Sequence, residues 1–112
     1  MIDPLILQER IKNNISLGES HFREFKSAFD GETGNKKSGN VKKLCQYIGE
    51  ALVAFANADG GDLLIGVEDD GEVTGVPHGE IEIKNMLSAY KTHVFANETL
   101  PLLASQRVEL EN

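Results

Sequence analysis

The sequence predicts an α+β domain in which a mixed sheet of about four strands packs against two main helices, with a short helix at the amino terminus. Two observations support this fold class. Apolar residues recur at helical spacing over residues 41–57 and 80–95. Residues 19–26 alternate and residues 63–67 are continuously apolar, which is typical of strands. Because 112 residues are enough for one hydrophobic core, we expect a single domain over residues 1–112.

The first element is predicted to be a short amphipathic helix over residues 4–13. Asp3 is suited to cap it, and Pro4 suits the first helical position, where no backbone N–H is needed. One face is apolar at four-residue intervals, through Leu7, Ile11 and Ile15. We expect Leu17-Gly18 to end the helix and residues 19–26 to form a turn followed by an alternating strand.

A long helix is the best-determined element in the middle of the chain. It is preceded by residues 30–40, whose three glycines and lack of large apolar side chains predict a mobile loop. Asn40 is suited to cap the helix at 41–57. Its apolar face consists of Val41, Leu44, Cys45, Ile48, Leu52 and Phe55. Glycines at 60 and 61 end it, and residues 63–67 predict a central strand covered on both faces.

The carboxyl-terminal half is predicted to contain a hairpin, a helix and a last strand. Asp70-Gly71 is a two-residue turn signal, after which residues 72–76 can return antiparallel. The helix at 80–95 has an apolar face of Ile83, Met86, Leu87, Tyr90 and Val94. Val108 and Leu110 alternate with polar neighbours in a final strand that stops abruptly. We therefore expect the chain to be the amino-terminal part of a longer protein.

Charge limits the kind of nucleic-acid site that this chain can have. A net charge of −7 opposes general binding to a polyanion, because phosphate binding depends on lysine and arginine. A nucleic-acid site must therefore be local. The basic residues that could form one are Arg23, Lys26, Lys36, Lys37, Lys42 and Lys43. The alternative interpretation is that these residues belong to a solvated loop and helix start.

Cysteine and histidine usage also excludes some classes of protein. The single Cys45 cannot form an intrachain disulfide, and its place in an apolar stripe predicts a buried, reduced thiol in a cytoplasmic protein. No segment approaches the roughly 18 apolar residues of a membrane span, and no signal-peptide pattern is present. His21, His78 and His93 match no zinc spacing. His21 could contact a phosphate, or it could simply be a half-buried strand residue.

Two motifs carry more specific information. The first is E-S-H-F-R-E-F-K at residues 19–26; the second is A-F-A-N-A-D-G-G at 54–61, followed by L-I-G-V-E-D at 64–69. At this order and separation they closely resemble the Schlafen-type AlbA-like domain, over residues 17–76. The resemblance implies a domain that binds DNA or RNA, as expected of a bacterial transcriptional regulator.

The resemblance also implies an acidic site. Schlafen-type ribonucleases use three acidic residues with a divalent metal, and the matching positions here are Glu19, Glu24 and Asp69. Grouped carboxylates can hold Mg²⁺ or Mn²⁺, and Lys26 could neutralise a nearby phosphate. Glu19 and Glu24 point to opposite faces of a regular strand, so they converge only if Glu19 lies in the Gly18 turn or a bulge intervenes. Alternatively, Glu24 merely pairs with Lys26 and Asp69 belongs to a solvated hairpin end.

Three hypotheses for function follow from these patterns. Nucleic-acid binding without cleavage is preferred, a metal-dependent endoribonuclease is the alternative, and an ATP-binding or dimerisation module is the third. Glycines 60 and 61 follow a helix, whereas phosphate loops precede one, so we interpret them as allowing close approach of helix and strand. The first helix and the edge of the last strand are candidate surfaces for a homodimer.

Overall fold

The computed structural model of the chain describes residues 3–32, 34–89 and 106–110. The elements in chain order are α1 (Pro4–Leu17), β1 (Arg23–Lys26), β2 (Phe29–Asp30), β3 (Lys37–Ser38), α2 (Val41–Asn57), β4 (Asp62–Ile65) and α3 (Glu80–Leu87). The described chain is α+β, as predicted. The described strands form two sheets of two strands, so the predicted mixed sheet of about four strands is not confirmed. None of the described helices has the length and hydrophobicity needed to cross a membrane.

Helix α1 begins as predicted and ends later. The Asp3 side chain accepts a 2.8 Å hydrogen bond from the backbone N–H of Leu5, which confirms the cap. The helix continues to Leu17, one turn beyond the predicted end at residue 13. The extra turn is stabilised by tertiary contact, because Asn14 is buried against the sheet. Gly18 then leaves the helix with a φ of 80°, a conformation that glycine adopts without strain.

Helix α2 has the predicted bounds. Asn40 accepts a 3.0 Å hydrogen bond from the backbone N–H of Lys43, so its predicted role as a cap is confirmed. Cys45 is a free, buried thiol, and burial raises its pKa. After the helix, a side chain on Gly61 would place its Cβ only 2.5 Å from the Phe55 ring. The glycine therefore permits the close approach of helix and strand that the sequence indicates.

The parallel pair β1 and β4 lies between two helical layers. On one face, Phe25 of β1 and Leu64 of β4 form a core with Ile11 and Ile15 of α1. On the other face, β4 presents partly buried apolar side chains to the core of α2 and α3. This second core contains Leu44, Cys45, Ile48, Ile83, Met86 and Ala89. Strand β4 is thus covered on both faces, as its continuous apolar run predicts.

The predicted loop at residues 30–40 includes parts of a short hairpin, while the described residues between its two strands are in no helix or strand. Strands β2 and β3 pair antiparallel across this segment. The hairpin is anchored by main-chain and distant contacts: the N–H of Gly39 donates to the Ala28 carbonyl at 2.7 Å, and His78 Nε2 lies 2.7 Å from the Gly39 carbonyl. Because these partners lie outside the segment, its composition gave no sign of them.

The hairpin after β4 is shorter than predicted. The turn at Asp70-Gly71 forms, but pairing beyond it is reduced to a single bridge between Val67 and Val73. Both Gly66 and Gly75 have positive φ, and the Gly66 carbonyl accepts the N–H of Gly75 at 2.9 Å. The main chain near Gly75 therefore runs close to Gly66, and residues 72–76 do not form the regular strand that was predicted.

The last predicted elements are only partly covered by the described residues. Helix α3 ends at Leu87, and the predicted continuation through Tyr90 and Val94 lies outside the described residues. Residues 106–110 do not form the strand predicted around Val108 and Leu110.

Candidate nucleic-acid interface

A tight turn at residues 20–23 brings Glu19 alongside β1. The two ends of the turn exchange backbone hydrogen bonds of 2.9 and 3.4 Å. Glu19 lies just before the turn, near enough to Phe25 in the middle of β1 for the backbone there to lower its pKa in part. The chain reversal thus turns Glu19 back toward β1, which is the condition under which Glu19 and Glu24 can converge.

Asp69, which follows β4, completes a group of three neighbouring carboxylates. Although the Glu19 side chain is exposed overall, its pKa is raised, first by partial desolvation of the carboxyl. A side-chain hydrogen bond with Asp69 and the negative charges of Asp69 and Glu24 raise the pKa further. These interactions indicate that the three carboxyl groups lie near one another. We refer to Glu19, Glu24 and Asp69 as the carboxylate cluster.

Tyr47 of α2 joins this cluster to the helix, and no sequence motif pointed to it. Its phenol lies near enough to the Glu24 carboxylate to interact with it. Burial of the phenol raises its pKa most, followed by the bond to Glu24 and the surrounding negative charges. The Nζ of Lys26 lies 5.0 Å from the centre of the Tyr47 ring, within the range of a cation–π contact. The available signal was the position of Tyr47 beside Ile48, at the border of the apolar stripe.

The carboxylate cluster has the chemistry of a site for a hard divalent cation but not a formed coordination geometry. Three carboxylates are ligands that Mg²⁺ and Mn²⁺ accept. In the part of the chain that the structure describes, however, no three His, Cys, Asp or Glu side chains are arranged so that they could hold a metal ion. The structure therefore gives no metal geometry from which to derive a catalytic step.

Four exposed lysines lie between the end of β2 and the first turn of α2. We call this group the lysine surface; its members are Lys36, Lys37, Lys42 and Lys43. The hairpin is tied to the start of α2, because the N–H of Asn40 donates to the Asp30 carboxylate at 3.1 Å. Among the described residues, no lysine of this surface forms a salt bridge. These exposed lysines are therefore available to an anionic ligand.

The lysine surface approaches the hairpin that follows β4. Glu68, next to Asp69, has a lowered pKa; its side-chain hydrogen bonds from Thr74 and Ser27 contribute most, and the positive charge of Lys36 also contributes. Lys36 is therefore near enough to act on the residue adjoining the carboxylate cluster.

Arg23 and His21, which were also predicted to contact nucleic acid, lie elsewhere. Arg23 points to the α1 face of the sheet, where its Nε donates a 2.9 Å hydrogen bond to the Gly18 carbonyl. Its guanidinium lies 4.7 Å from the centre of the Phe22 ring. His21 is exposed in the turn. The structure thus separates Arg23 from Lys26, which faces α2.

Comparison with protein families gives one result for this chain. The family model described as Schlafen, AlbA_2 matches residues 19–112. Comparisons with curated proteins and with solved structures gave no match. The matched span begins at Glu19, so it includes the carboxylate cluster and the lysine surface but not α1.

Proposed function

This chain belongs to the Schlafen, AlbA_2 family, and from that premise we propose that it binds nucleic acid, DNA or RNA, without cleaving it. The observation that supports binding most directly is the lysine surface. Its four side chains are exposed on a hairpin and helix start that are held together by hydrogen bonds. On a chain with a net charge of −7, such a local basic surface determines where a phosphate backbone can approach.

The start of α2 adds to the attraction for phosphate. Helix amino termini carry partial positive charge, which favours an anion nearby. Lys42 and Lys43 lie in the first turn of α2, so their charges add to that of the helix end. Lys26 extends the basic region toward the carboxylate cluster.

The proposal is tested by removing charge at matched positions. The Lys42→Gln/Lys43→Gln variant should bind short RNA and DNA more weakly. The slope of log K against log salt should also become shallower, by roughly 0.7–0.9 for each phosphate that is no longer bound. The control is Lys12→Gln/Lys84→Gln, which removes the same charge from exposed positions on α1 and α3. Equal weakening in both variants would show that net charge, not the lysine surface, governs binding. Absence of binding by the wild type at low salt would refute the proposal.

A second candidate function is metal-dependent cleavage of RNA, and the carboxylate cluster favours it. Its repulsion, which raises the pKa of Glu19, would be relieved by a divalent cation. Structured RNA with Mn²⁺ should then be cleaved by the wild type but not by Glu24→Gln or Asp69→Asn. Glu72→Gln is the matched control, because Glu72 lies exposed on the same hairpin. Unchanged cleavage in both cluster variants would eliminate this site.

The role of the whole protein is a further part of the proposal. Regulation of transcription is what the family resemblance implies for such a binding domain. Substituting Lys42 and Lys43 in the cell should then alter the same transcripts as deleting the gene. A homodimer and ATP binding remain predictions, which sedimentation and nucleotide titration would test.

A further inference from the structure

A cleft on the α1 face of the sheet is separate from both the lysine surface and the carboxylate cluster. It has a volume of about 670 Å³ and lies between α1 and the loop that precedes β4. Its lining includes Ile6, Arg10, Asn13, Phe22, Arg23 and Asp59. The α1 residues of this lining precede the span matched by the family model, so the cleft is completed by a helix outside that span.

Phe22 is an exposed aromatic ring on a backbone that is held in place. Its N–H donates to Ser20 Oγ at 3.3 Å, and its carbonyl accepts the N–H of Asp62 at 2.9 Å. The residue nevertheless remains 54% exposed. Arg23 lies against the ring, and its own hydrogen bond to the Gly18 carbonyl fixes its position. A ring held in this way loses little conformational entropy when a second flat group stacks on it.

The charges around the cleft do not favour a phosphate. Arg10 is already paired with Asp62 through hydrogen bonds of 2.8 and 2.9 Å, and Asn14 donates a third at 2.8 Å. The lining includes two arginines but three acidic residues, since Glu9 and Asp59 lie there beside Asp62. An anion would therefore be repelled, whereas a neutral ring with a polar edge would not.

The cleft also offers groups that can hydrogen-bond to such an edge. Asn13 and Asp59 are both exposed on its walls, so their side chains are accessible to a ligand. Gly60 and Gly61 also line the cleft, beside Asp59. An amide and a carboxylate next to an exposed ring are features that recognise unpaired bases.

We propose that this cleft binds one unpaired nucleobase of a single-stranded nucleic acid, stacked on Phe22 with its polar edge toward Asn13 and Asp59. This inference rests on the proposed nucleic-acid binding and specifies its substrate as single-stranded. The phosphates of the bound strand remain outside the cleft, because only the base is neutral.

The test uses the full chain and short oligonucleotides that contain 2-aminopurine. The chain has no tryptophan, so the probe can be excited apart from the protein. Wild type should quench the probe and bind it; Phe22→Leu should bind roughly tenfold more weakly, since stacking on an aromatic ring is lost. Phe22→Tyr keeps the ring and should restore binding. Equal melting temperatures would show that the wild type and both variants are folded.

An abasic oligonucleotide distinguishes stacking from phosphate contact. Removing one base should weaken binding to the wild type but not to Phe22→Leu, whereas Lys42→Gln/Lys43→Gln should weaken binding to both oligonucleotides equally. If wild type binds single strands and Phe22→Leu binds them as tightly, the inference is overturned while the proposed function stands. Binding to duplexes alone, or a change only in self-association, also overturns it. Absence of any nucleic-acid binding would instead reject the proposed function.

Discussion

The two faces of the sheet formed by β1 and β4 differ in how their charged groups are compensated. On the α2 face, Glu24 adjoins Glu19 and Asp69, and the mutual repulsion helps to raise the pKa of Glu19. On the α1 face, burial opposes ionisation of Asp62, but hydrogen bonds from Arg10 and Asn14 and the arginine charges outweigh it and lower its pKa.

This difference distinguishes charges that are compensated within the fold from charges that are not. The Asp62 network satisfies its own members, so it holds α1 on the sheet. The carboxylate cluster does not satisfy its own charge, and unpaired charge of this kind is concentrated at functional sites. The two faces of this small parallel sheet thus differ: one anchors α1, and the other carries the proposed ligand site.

The largest expected effect tests the core between the two faces. Phe25 is only 3% exposed and packs against Leu64 and α1, so Phe25→Ala should lower the free energy of unfolding by about 3–5 kcal/mol. Phe22→Ala is the matched control three residues away and should change it by no more than about 0.5 kcal/mol. Chemical denaturation measures both. Similar losses in the two variants would contradict the assignment of Phe25 as core and Phe22 as surface.

A smaller effect is expected from the anchoring face. Asp62→Asn should lower the free energy of unfolding by about 1–3 kcal/mol, because it removes the charge that Arg10 and Asn14 bind. The folded-state pKa of Asp62 is lowered, so its contribution is present above the unfolded value of ~3.9. That contribution is lost as pH falls through the folded value. Thermal melts should therefore show the difference between variant and wild type shrinking below about pH 4; a difference independent of pH would indicate a packing effect.

Tyr47→Phe tests the link between the cluster and α2. The ring and its contact with Lys26 remain, while the hydrogen bond to Glu24 is removed, so a destabilisation of about 0.5–1.5 kcal/mol is expected. Denaturation of this variant beside Tyr47→Leu separates the hydroxyl from the ring. If both variants lose the same free energy of unfolding, and that loss is smaller than about 0.5 kcal/mol, the Tyr47 hydroxyl does not stabilise the fold.

The smallest expected effect is a gain in stability rather than a loss. Because the pKa of Glu19 is raised in the folded state, its contribution to stability is fully present below the unfolded value and is lost as pH rises through the folded one. Glu19→Gln should therefore be more stable than wild type at pH 7, by less than about 1 kcal/mol for such an exposed charge. The gain should disappear in acid. A melting temperature lowered at pH 7 would show that Glu19 is not repelled by its neighbours.

The candidate site was predicted unevenly. The motifs identified Glu19, Glu24 and Asp69, whose carboxyls interact electrostatically without an arrangement that could hold a metal among the described residues. Tyr47 was missed because a tyrosine beside an apolar stripe is indistinguishable from ordinary core. Arg23 was grouped with Lys26 because they are close in sequence, although their side chains lie on opposite faces of the sheet.

Local chemistry by itself determined the bounds of α2, the caps at Asp3 and Asn40, and the glycine junction before β4, because each depends on residues within a few positions. Only the tertiary structure decided that residues 30–40 form a hairpin, that the strands make two small sheets, and that a cleft opens beside Phe22. These features depend on contacts between segments far apart in the chain, such as His78 with Gly39 and Arg10 with Asp62. Spacing along a sequence carries no record of which distant partner a side chain meets.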